Sequence, residues 1–218
     1  MLPRSFNGDP EEIKSHLEQL GGLVERAVLD SLEALRSGDA ETSRHVLERD
    51  REIHEKRYFF EEKALVLIVG RKPTAWDLRF AASVFNIAGE LERMGDYARG
   101  IAVIGLSSQN IRSPVIPAEL TQMAVKATSM LKRALHAFLT EDSELAIQIS
   151  KEDDENDPLY KQTCQELAKI VIADPRKIDG VDRLFWVAYN LECLGDRVTH
   201  ICERTLFLVS GDYMELHD

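Results

Sequence analysis

An internal repeat, whose two copies lie one hundred residues apart, constrains the fold of this chain more than any other feature. Residues 84–101 match residues 184–201 at seven of eighteen positions, and both copies contain Leu-Glu-x-x-Gly-Asp, at 91–96 and 191–196. Upstream, an offset of 103 aligns further acidic residues: Asp39 with Asp142, Glu41 with Glu144, Asp50 with Asp153, and Glu52 with Glu155. A period this long predicts two copies of one supersecondary unit rather than a solenoid of short repeats.

The apolar residues follow a helical period. In the first predicted helix they recur every three or four residues, which is typical of the buried stripe of an amphipathic helix: Ile13, Leu17, Leu20, Val24, Ala27, Val28, Leu32 and Leu35. No run of alternating β-branched residues predicts a strand. We therefore expect an all-α protein built from two tandem three-helix bundles that are related by internal duplication.

Turn and capping residues divide the chain into six predicted helices. Gly38 is expected to end the first helix and Asp39 to cap the second, while Gly70 and Pro73 separate the second from the third. Pro158 lies inside the fifth predicted helix and should kink or break it. These signals predict a first repeat at residues 8–106, a linker at 107–117 and a second repeat at 118–210.

Charge and hydropathy exclude several classes of protein. The net charge is −11, so the chain lacks the basic surface with which proteins bind nucleic acids. The longest strongly apolar run, Ala64–Val69, is too short to span a membrane, and residues 1–6 lack the apolar core of a signal peptide. We therefore expect a cytoplasmic protein without a transmembrane segment. The three cysteines have no metal-binding spacing and are interpreted as buried thiols: Cys164, Cys193 and Cys202.

The repeated core places two carboxylates on one helix face. Glu92 and Asp96, like Glu192 and Asp196, are four residues apart, so each pair spans one helical turn. Like charges at this spacing repel, and a cation between them would reverse that effect. Glu92 also continues an apolar stripe traced through Leu78, Ala81, Phe85 and Ala88, where an unpaired charge is costly. The pattern predicts either metal sites or structural ion pairs with nearby arginines, namely Arg93, Arg99 or Arg197.

A second acidic cluster recurs one helix upstream of each core. Asp50 in the first copy, and Asp153 with Asp157 in the second, could face the motif and complete a shell of oxygen ligands. The predicted metal residues are therefore Glu92, Asp96 and Asp50 in one site and Glu192, Asp196, Asp153 and Asp157 in the other. Such ligands suit iron, manganese, magnesium or calcium, and zinc is also an option. His54 could add a ligand, but a solvated charged face explains this cluster equally well.

These motifs resemble the PhoU family, whose members are duplicated three-helix bundles with an E(D)xxxD motif in each repeat. The resemblance runs from about Gly8 to Val209: Leu91–Asp96 matches the family's LERxGD core, and Pro73–Arg79 resembles its Pro-x-Ala-x-Asp-Leu-Arg segment. It implies a negative regulator of the phosphate regulon, not an enzyme. Its implied partners are the ATPase subunit of the high-affinity phosphate ABC transporter and a phosphate-sensing histidine kinase. It also implies a homodimer, and iron clusters on Glu92, Asp96, Glu192 and Asp196.

The chain departs from the family pattern in the first and second copies. Cys193 replaces the usual Arg of the second core, and His54 stands where a second Asp is common. Two other functions stay open: a carboxylate-bridged di-metal enzyme, and a metal-free helical scaffold. The enzyme is disfavoured because neither core is followed by the His of a Glu-x-x-His pair.

Overall fold

The computed structural model describes residues 10–69, 72–107, 116–153 and 156–216, with only the backbone of residues 156 and 157. Within these ranges the chain forms seven α-helices, one 3₁₀ turn at Pro175–Lys177, and no strand. The helices are α1 (Pro10–Ser37), α2 (Ala40–Val69), α3 (Ala75–Ser107), α4 (Ala118–Thr140), α5 (Ser143–Asp153), α6 (Asn156–Ala173) and α7 (Ile178–Ser210). The predicted all-α fold is confirmed. None of these helices is long and apolar enough to cross a membrane.

The helix ends follow the capping residues of the sequence. Gly38, at φ +72°, closes α1. Asp39 then caps α2, because its carboxylate accepts hydrogen bonds from the Glu41 N–H at 2.9 Å and the Thr42 hydroxyl at 2.6 Å. Asp142 caps α5 by accepting from the Leu145 N–H at 2.9 Å. Gly70 and most of the predicted linker lie outside the described residues.

The fifth predicted helix is described in two parts. α5 ends at Asp153, α6 begins at Asn156, and Pro158 is the third residue of α6. Residues 154 and 155, between the two parts, lie outside the described residues. The kink or break expected at Pro158 therefore stays a prediction.

Helices α1–α3 form one bundle and α4–α7 form the other, and one hydrophobic core runs through both. The bundles meet where α1 packs on α4 and α3 packs on α7. α3 and α7 are antiparallel: at one end the Arg79 Nε donates to the Leu208 carbonyl at 3.0 Å, and at the other the Arg183 Nη1 donates to the Ser107 hydroxyl at 3.0 Å. This pairing holds the two repeated cores on a shared pair of helices.

The buried face of α3 differs from the predicted stripe. It is centred on Phe80, Val84, Ile87, Leu91, Met94 and Ala98, each fully buried. Leu78, which was predicted to lie in the core, is 45% exposed. The predicted stripe runs along one border of the buried face, so Glu92 lies at this border, with a side chain that is 14% exposed.

Candidate metal sites

The first copy brings its two acidic clusters together between α2 and α3. The imidazole of His54 lies among three carboxylates: Nδ1 is 2.7 Å from Glu92 Oε1, and Nε2 is 3.6 Å from Asp96 Oδ1 and 3.8 Å from Asp50 Oδ1. One ligand atom each from Asp50, His54 and Asp96 lies within 4.8 Å of the other two. The sequence placed the three carboxylates together and left His54 unassigned, although its position one turn after Asp50 was the available signal.

Asp50 is the most buried carboxylate of this site. Its side chain is 9% exposed, against 53% for Asp96. Its Oδ1 accepts no hydrogen bond from the described part of the chain. Burial, with repulsion from Asp96 and Glu92, raises the pKa of Asp50, although His54 and Arg99 act in the opposite direction. A buried carboxylate oxygen without a hydrogen-bond donor, beside an imidazole and a second carboxylate, suits a bound cation.

Two arginines neutralise the same carboxylates. The Arg57 Nη1 donates to Glu92 Oε2 at 2.5 Å, and the Arg99 Nε lies 3.5 Å from Asp50 Oδ2. Arg99 is one of the partners that the sequence predicts, whereas Arg57, which lies on α2 one turn after His54, is not. The site therefore contains the ligand atoms of a metal site and also the arginine ion pairs that the sequence predicts as the alternative to metal binding.

Gly95 allows α2 to approach α3 closely beside this site. A Cβ atom at Gly95 would lie 3.1 Å from the Cδ1 and 3.2 Å from the Cγ2 of Ile53. Since Ile53 directly precedes His54, this close packing also fixes the distance between the backbone of His54 and α3. An interior glycine lowers helix stability by about 1 kcal/mol relative to alanine, and at this position it permits the close contact.

The second copy is built differently. Glu192, Cys193 and Asp196 each offer a ligand atom within 4.8 Å of the others. Asp153, which was predicted to join them, does not belong to this compact group of described residues. Its charge instead acts on Cys202, whose pKa is raised to about 12 by burial first, then by Glu203 and Asp153.

The remaining second-site predictions have different outcomes. The side chain of Asp157 lies outside the described residues. The Cys193 and Cys202 thiols are buried, as predicted, whereas Cys164 is half-buried; all three are free. Burial raises the pKa of Cys193, as do the charges of Glu192 and Asp196. Cys193 is not among the ligands predicted from the sequence, although it directly follows the motif glutamate.

Arg197 pairs with a residue of the other bundle rather than with the repeated core. Its Nη1 lies 3.2 Å from Glu90 Oε2, and His200 Nδ1 lies 3.6 Å from the same oxygen. Burial alone would raise the pKa of Glu90, but the hydrogen bond with His200 and the charge of Arg197 outweigh it and lower that pKa. This cluster lies where α3 packs on α7, so it links the two bundles electrostatically.

Known proteins match this chain along nearly its whole length. The PhoU domain model matches it twice, at residues 17–104 and 120–205. A phosphate-specific transport system accessory protein PhoU homolog from Clostridium acetobutylicum is 32% identical over 219 aligned positions, covering 100% of both chains.

Two solved structures share the architecture. The crystal structure of PhoU from Pseudomonas aeruginosa has a TM-score of 0.88 at 32% identity, over 95% of this chain and 100% of that chain. The phosphate transport system regulatory protein PhoU from Streptococcus pneumoniae has a TM-score of 0.85 at 28% identity, over 94% and 97%. The doubled domain match, the full-length relative and the shared fold agree with the doubled carboxylate motif described above: this chain belongs to the PhoU family.

Proposed function

We propose that this protein is a cytoplasmic negative regulator of the phosphate regulon, which restrains phosphate uptake together with a high-affinity phosphate ABC transporter. One observation carries the proposal: a relative named as a phosphate-specific transport system accessory protein aligns with the chain from end to end. The proposed contacts are the transporter's ATPase subunit and the phosphate-sensing histidine kinase, and the protein acts as a homodimer.

In this proposal the repeated carboxylates bind metal ions. Asp50, Glu92 and Asp96 belong to the first site, and the unpartnered Oδ1 of Asp50 supports it. The second site uses Glu192 and Asp196, which form one compact group with the Cys193 thiol, and the sequence adds Asp157 to it. The oxygen ligands suit iron, manganese, magnesium, calcium or zinc ions.

Metal binding gives the regulator a means of changing its surface charge. The chain carries a net charge of −11, and each bound divalent ion adds two positive charges at its site. A partner surface that approaches the exposed Asp96 side chain would therefore meet a different potential in the metal-bound and metal-free forms. We propose this regulatory role, rather than catalysis, for the motif.

The arginine pairs favour a second candidate, a metal-free helical scaffold. Arg57 already neutralises Glu92, and Arg99 lies beside Asp50, so these carboxylates have counter-ions without any metal. In that case the two motifs would fix the packing of α2 on α3 and have no ligand. Elemental analysis of the purified protein, with Glu92→Gln/Asp96→Asn beside it, decides between the two candidates.

A complementation experiment tests the regulatory role. Cells lacking the gene should express phosphate-responsive genes in phosphate-rich medium, and the wild-type gene should repress them again. The Glu92→Gln/Asp96→Asn variant should restore repression only in part. The control variant Glu48→Gln/Glu144→Gln, which replaces two exposed carboxylates, should restore it fully. Unchanged expression and phosphate uptake in the deletion strain, in both rich and starved cells, would exclude the proposed function.

A further inference from the structure

The two ring nitrogens of His54 have different surroundings. Nδ1 lies at hydrogen-bond distance, 2.7 Å, from Glu92 Oε1. Nε2 lies 3.6 Å from Asp96 Oδ1 and 3.8 Å from Asp50 Oδ1. One nitrogen is thus engaged by a single carboxylate, while the other points toward two carboxylate oxygens that it does not reach directly.

We propose that His54 binds a transition-metal ion through Nε2 together with Asp50 and Asp96, and that Glu92 orients the imidazole from Nδ1 instead of binding the ion. This inference rests on the proposed metal binding of the first site. It adds a nitrogen ligand that the family motif does not contain, and it divides the acidic residues into two ligands and one positioning residue.

The spacing of the three ligand atoms supports this assignment. Atoms that bind one ion at about 2.1 Å are separated by about 3.0–3.4 Å in octahedral or tetrahedral geometry. The distances of 3.6 Å and 3.8 Å from Nε2 exceed that range by only a few tenths of an ångström. The Asp96 and His54 side chains are both partly exposed and can shift by this amount, which shortens both distances while the buried Asp50 stays in place.

The buried oxygen of Asp50 is an independent indication of a ligand. Asp50 is more than nine-tenths buried, and its Oδ1 accepts no hydrogen bond from the described residues although it faces Nε2. Buried carboxylate oxygens normally have a hydrogen-bond donor or a metal ion beside them. Its other oxygen, Oδ2, is the one that faces Arg99, so Oδ1 is the atom available to an ion.

Glu92 is held in a position that suits orientation rather than coordination. Its Oε2 accepts a hydrogen bond from Arg57 at 2.5 Å, and its Oε1 lies beside His54 Nδ1. The two ring nitrogens of an imidazole point away from each other, so an oxygen at Nδ1 lies on the far side of the ring from a metal at Nε2. A carboxylate that accepts the second N–H of a metal-bound histidine is a common arrangement in metalloproteins.

A nitrogen ligand changes which ions the site prefers. Imidazole suits zinc and iron, whereas magnesium and calcium prefer ligand sets made only of oxygen. The offset of 103 aligns His54 with Asp157, so the second copy has a carboxylate at the equivalent position. The first site should therefore prefer borderline transition metals to magnesium and calcium, through a nitrogen ligand that is specific to the first copy.

The test uses the full-length chain with the second motif silenced by Glu192→Gln/Asp196→Asn. Zinc and manganese affinities are measured by titration calorimetry, and imidazole bound to zinc is detected by X-ray absorption spectroscopy. The variants are His54→Gln, His54→Asp and Glu92→Gln, with the exposed His45→Gln of the same helix as the matched control. Circular dichroism verifies that each variant folds.

We expect His54→Gln to remove the imidazole signal and weaken zinc binding at least about tenfold, with His45→Gln unchanged. Glu92→Gln should weaken zinc binding about 10–100-fold, as loss of an orienting partner does, while the imidazole signal stays. His54→Asp should keep manganese binding and lose the preference for zinc.

Bound zinc without an imidazole signal, or the same zinc affinity in His54→Gln, overturns the inference. If Glu92→Gln/Asp96→Asn nevertheless abolishes binding, the proposed metal function survives that result. A chain that binds neither ion at the first motif overturns both the inference and the proposed metal function.

Discussion

Replacing Asp50 by Asn should raise the stability of the metal-free protein and reduce the stabilisation that bound metal provides. The substitution keeps the size of the side chain and removes its charge. Without metal, the protein loses a contact with Arg99, whose side chain is 53% exposed, and such pairs contribute about 0–1 kcal/mol. Burial of the charged Asp50 carboxylate costs the wild-type protein several kcal/mol of desolvation free energy, and the neutral Asn avoids this cost. The second effect is larger, so the metal-free variant should be more stable than wild type.

The magnitude follows from these two contributions. We expect a net gain of about 1–2 kcal/mol, because desolvation of Asp50 is partly offset by its neighbours. For a chain of this size, 1 kcal/mol corresponds to about 2–4 °C in Tm, so the metal-free Tm should rise by about 2–8 °C. With metal at one hundred times its Kd, wild type should gain about 2.7 kcal/mol. A tenfold weaker site in Asp50→Asn reduces that gain by about 1.4 kcal/mol.

Thermal melts followed by circular dichroism measure both effects. Wild type, Asp50→Asn and the exposed control Glu48→Gln are each melted with chelator and with zinc or manganese. The control should behave like wild type in every condition. Equal destabilisation of Asp50→Asn with chelator and with metal would refute the reasoning, since that result is expected of a carboxylate whose only role is to neutralise Arg99.

Three further predictions concern the helix interfaces and the thiols. The pKa of Glu90 is lowered, so its charged form stabilises the fold above the ordinary pKa of 4.5, and this contribution is lost as the pH falls through the lower folded pKa. Glu90→Gln should therefore lower the free energy of unfolding by about 1–3 kcal/mol at neutral pH, and by less in acid. Urea denaturation at several pH values measures this difference. A difference that does not change with pH would contradict the ion-pair explanation. Gly21→Ala places a Cβ against Leu135 Cδ1, and moving that side chain should cost about 1–3 kcal/mol in the packing of α1 on α4. The helix propensity of alanine offsets about 1 kcal/mol of this cost, so the net loss should be about 0–2 kcal/mol, and a raised Tm would show that Leu135 moves freely. Cys202, buried and with its pKa raised to about 12, should resist alkylation at neutral pH in the native protein, and mass spectrometry showing labelling as fast as in denatured protein would contradict this.

Local signals in the sequence predicted the helices well. Gly38 and Asp39 act only on their neighbours in the chain, so their roles as helix end and cap could be identified without knowledge of tertiary structure. Pro158 is a weaker signal of the same local kind, because a proline fits the first turn of a new helix as well as it ends an old one.

The site was predicted less completely because it depends on how two helices are rotated about their axes. Periodicity placed Glu92 on an apolar stripe, but the true buried face of α3 is shifted, which leaves Leu78 exposed. The pairing of Arg57 with Glu92 joins residues 35 positions apart, and no local pattern specifies it. The convergence of Asp50 with Glu92 and Asp96 was predicted only because the duplicated sequence showed both clusters twice.

The antiparallel packing of α3 on α7 gives the chain the geometry of a two-fold dimer whose subunits are joined by a peptide linker. In a true two-fold dimer every contact occurs twice, so any change in one subunit appears in both halves of the interface. Here the offset of one hundred residues relates the Glu90–Arg197 pair to Asn190 and Tyr97, and neither of these two side chains is charged at neutral pH. Covalent linkage therefore lets each half of the interface, and each of the two carboxylate motifs, be optimised separately, and a single chain can carry two sites with different ligands.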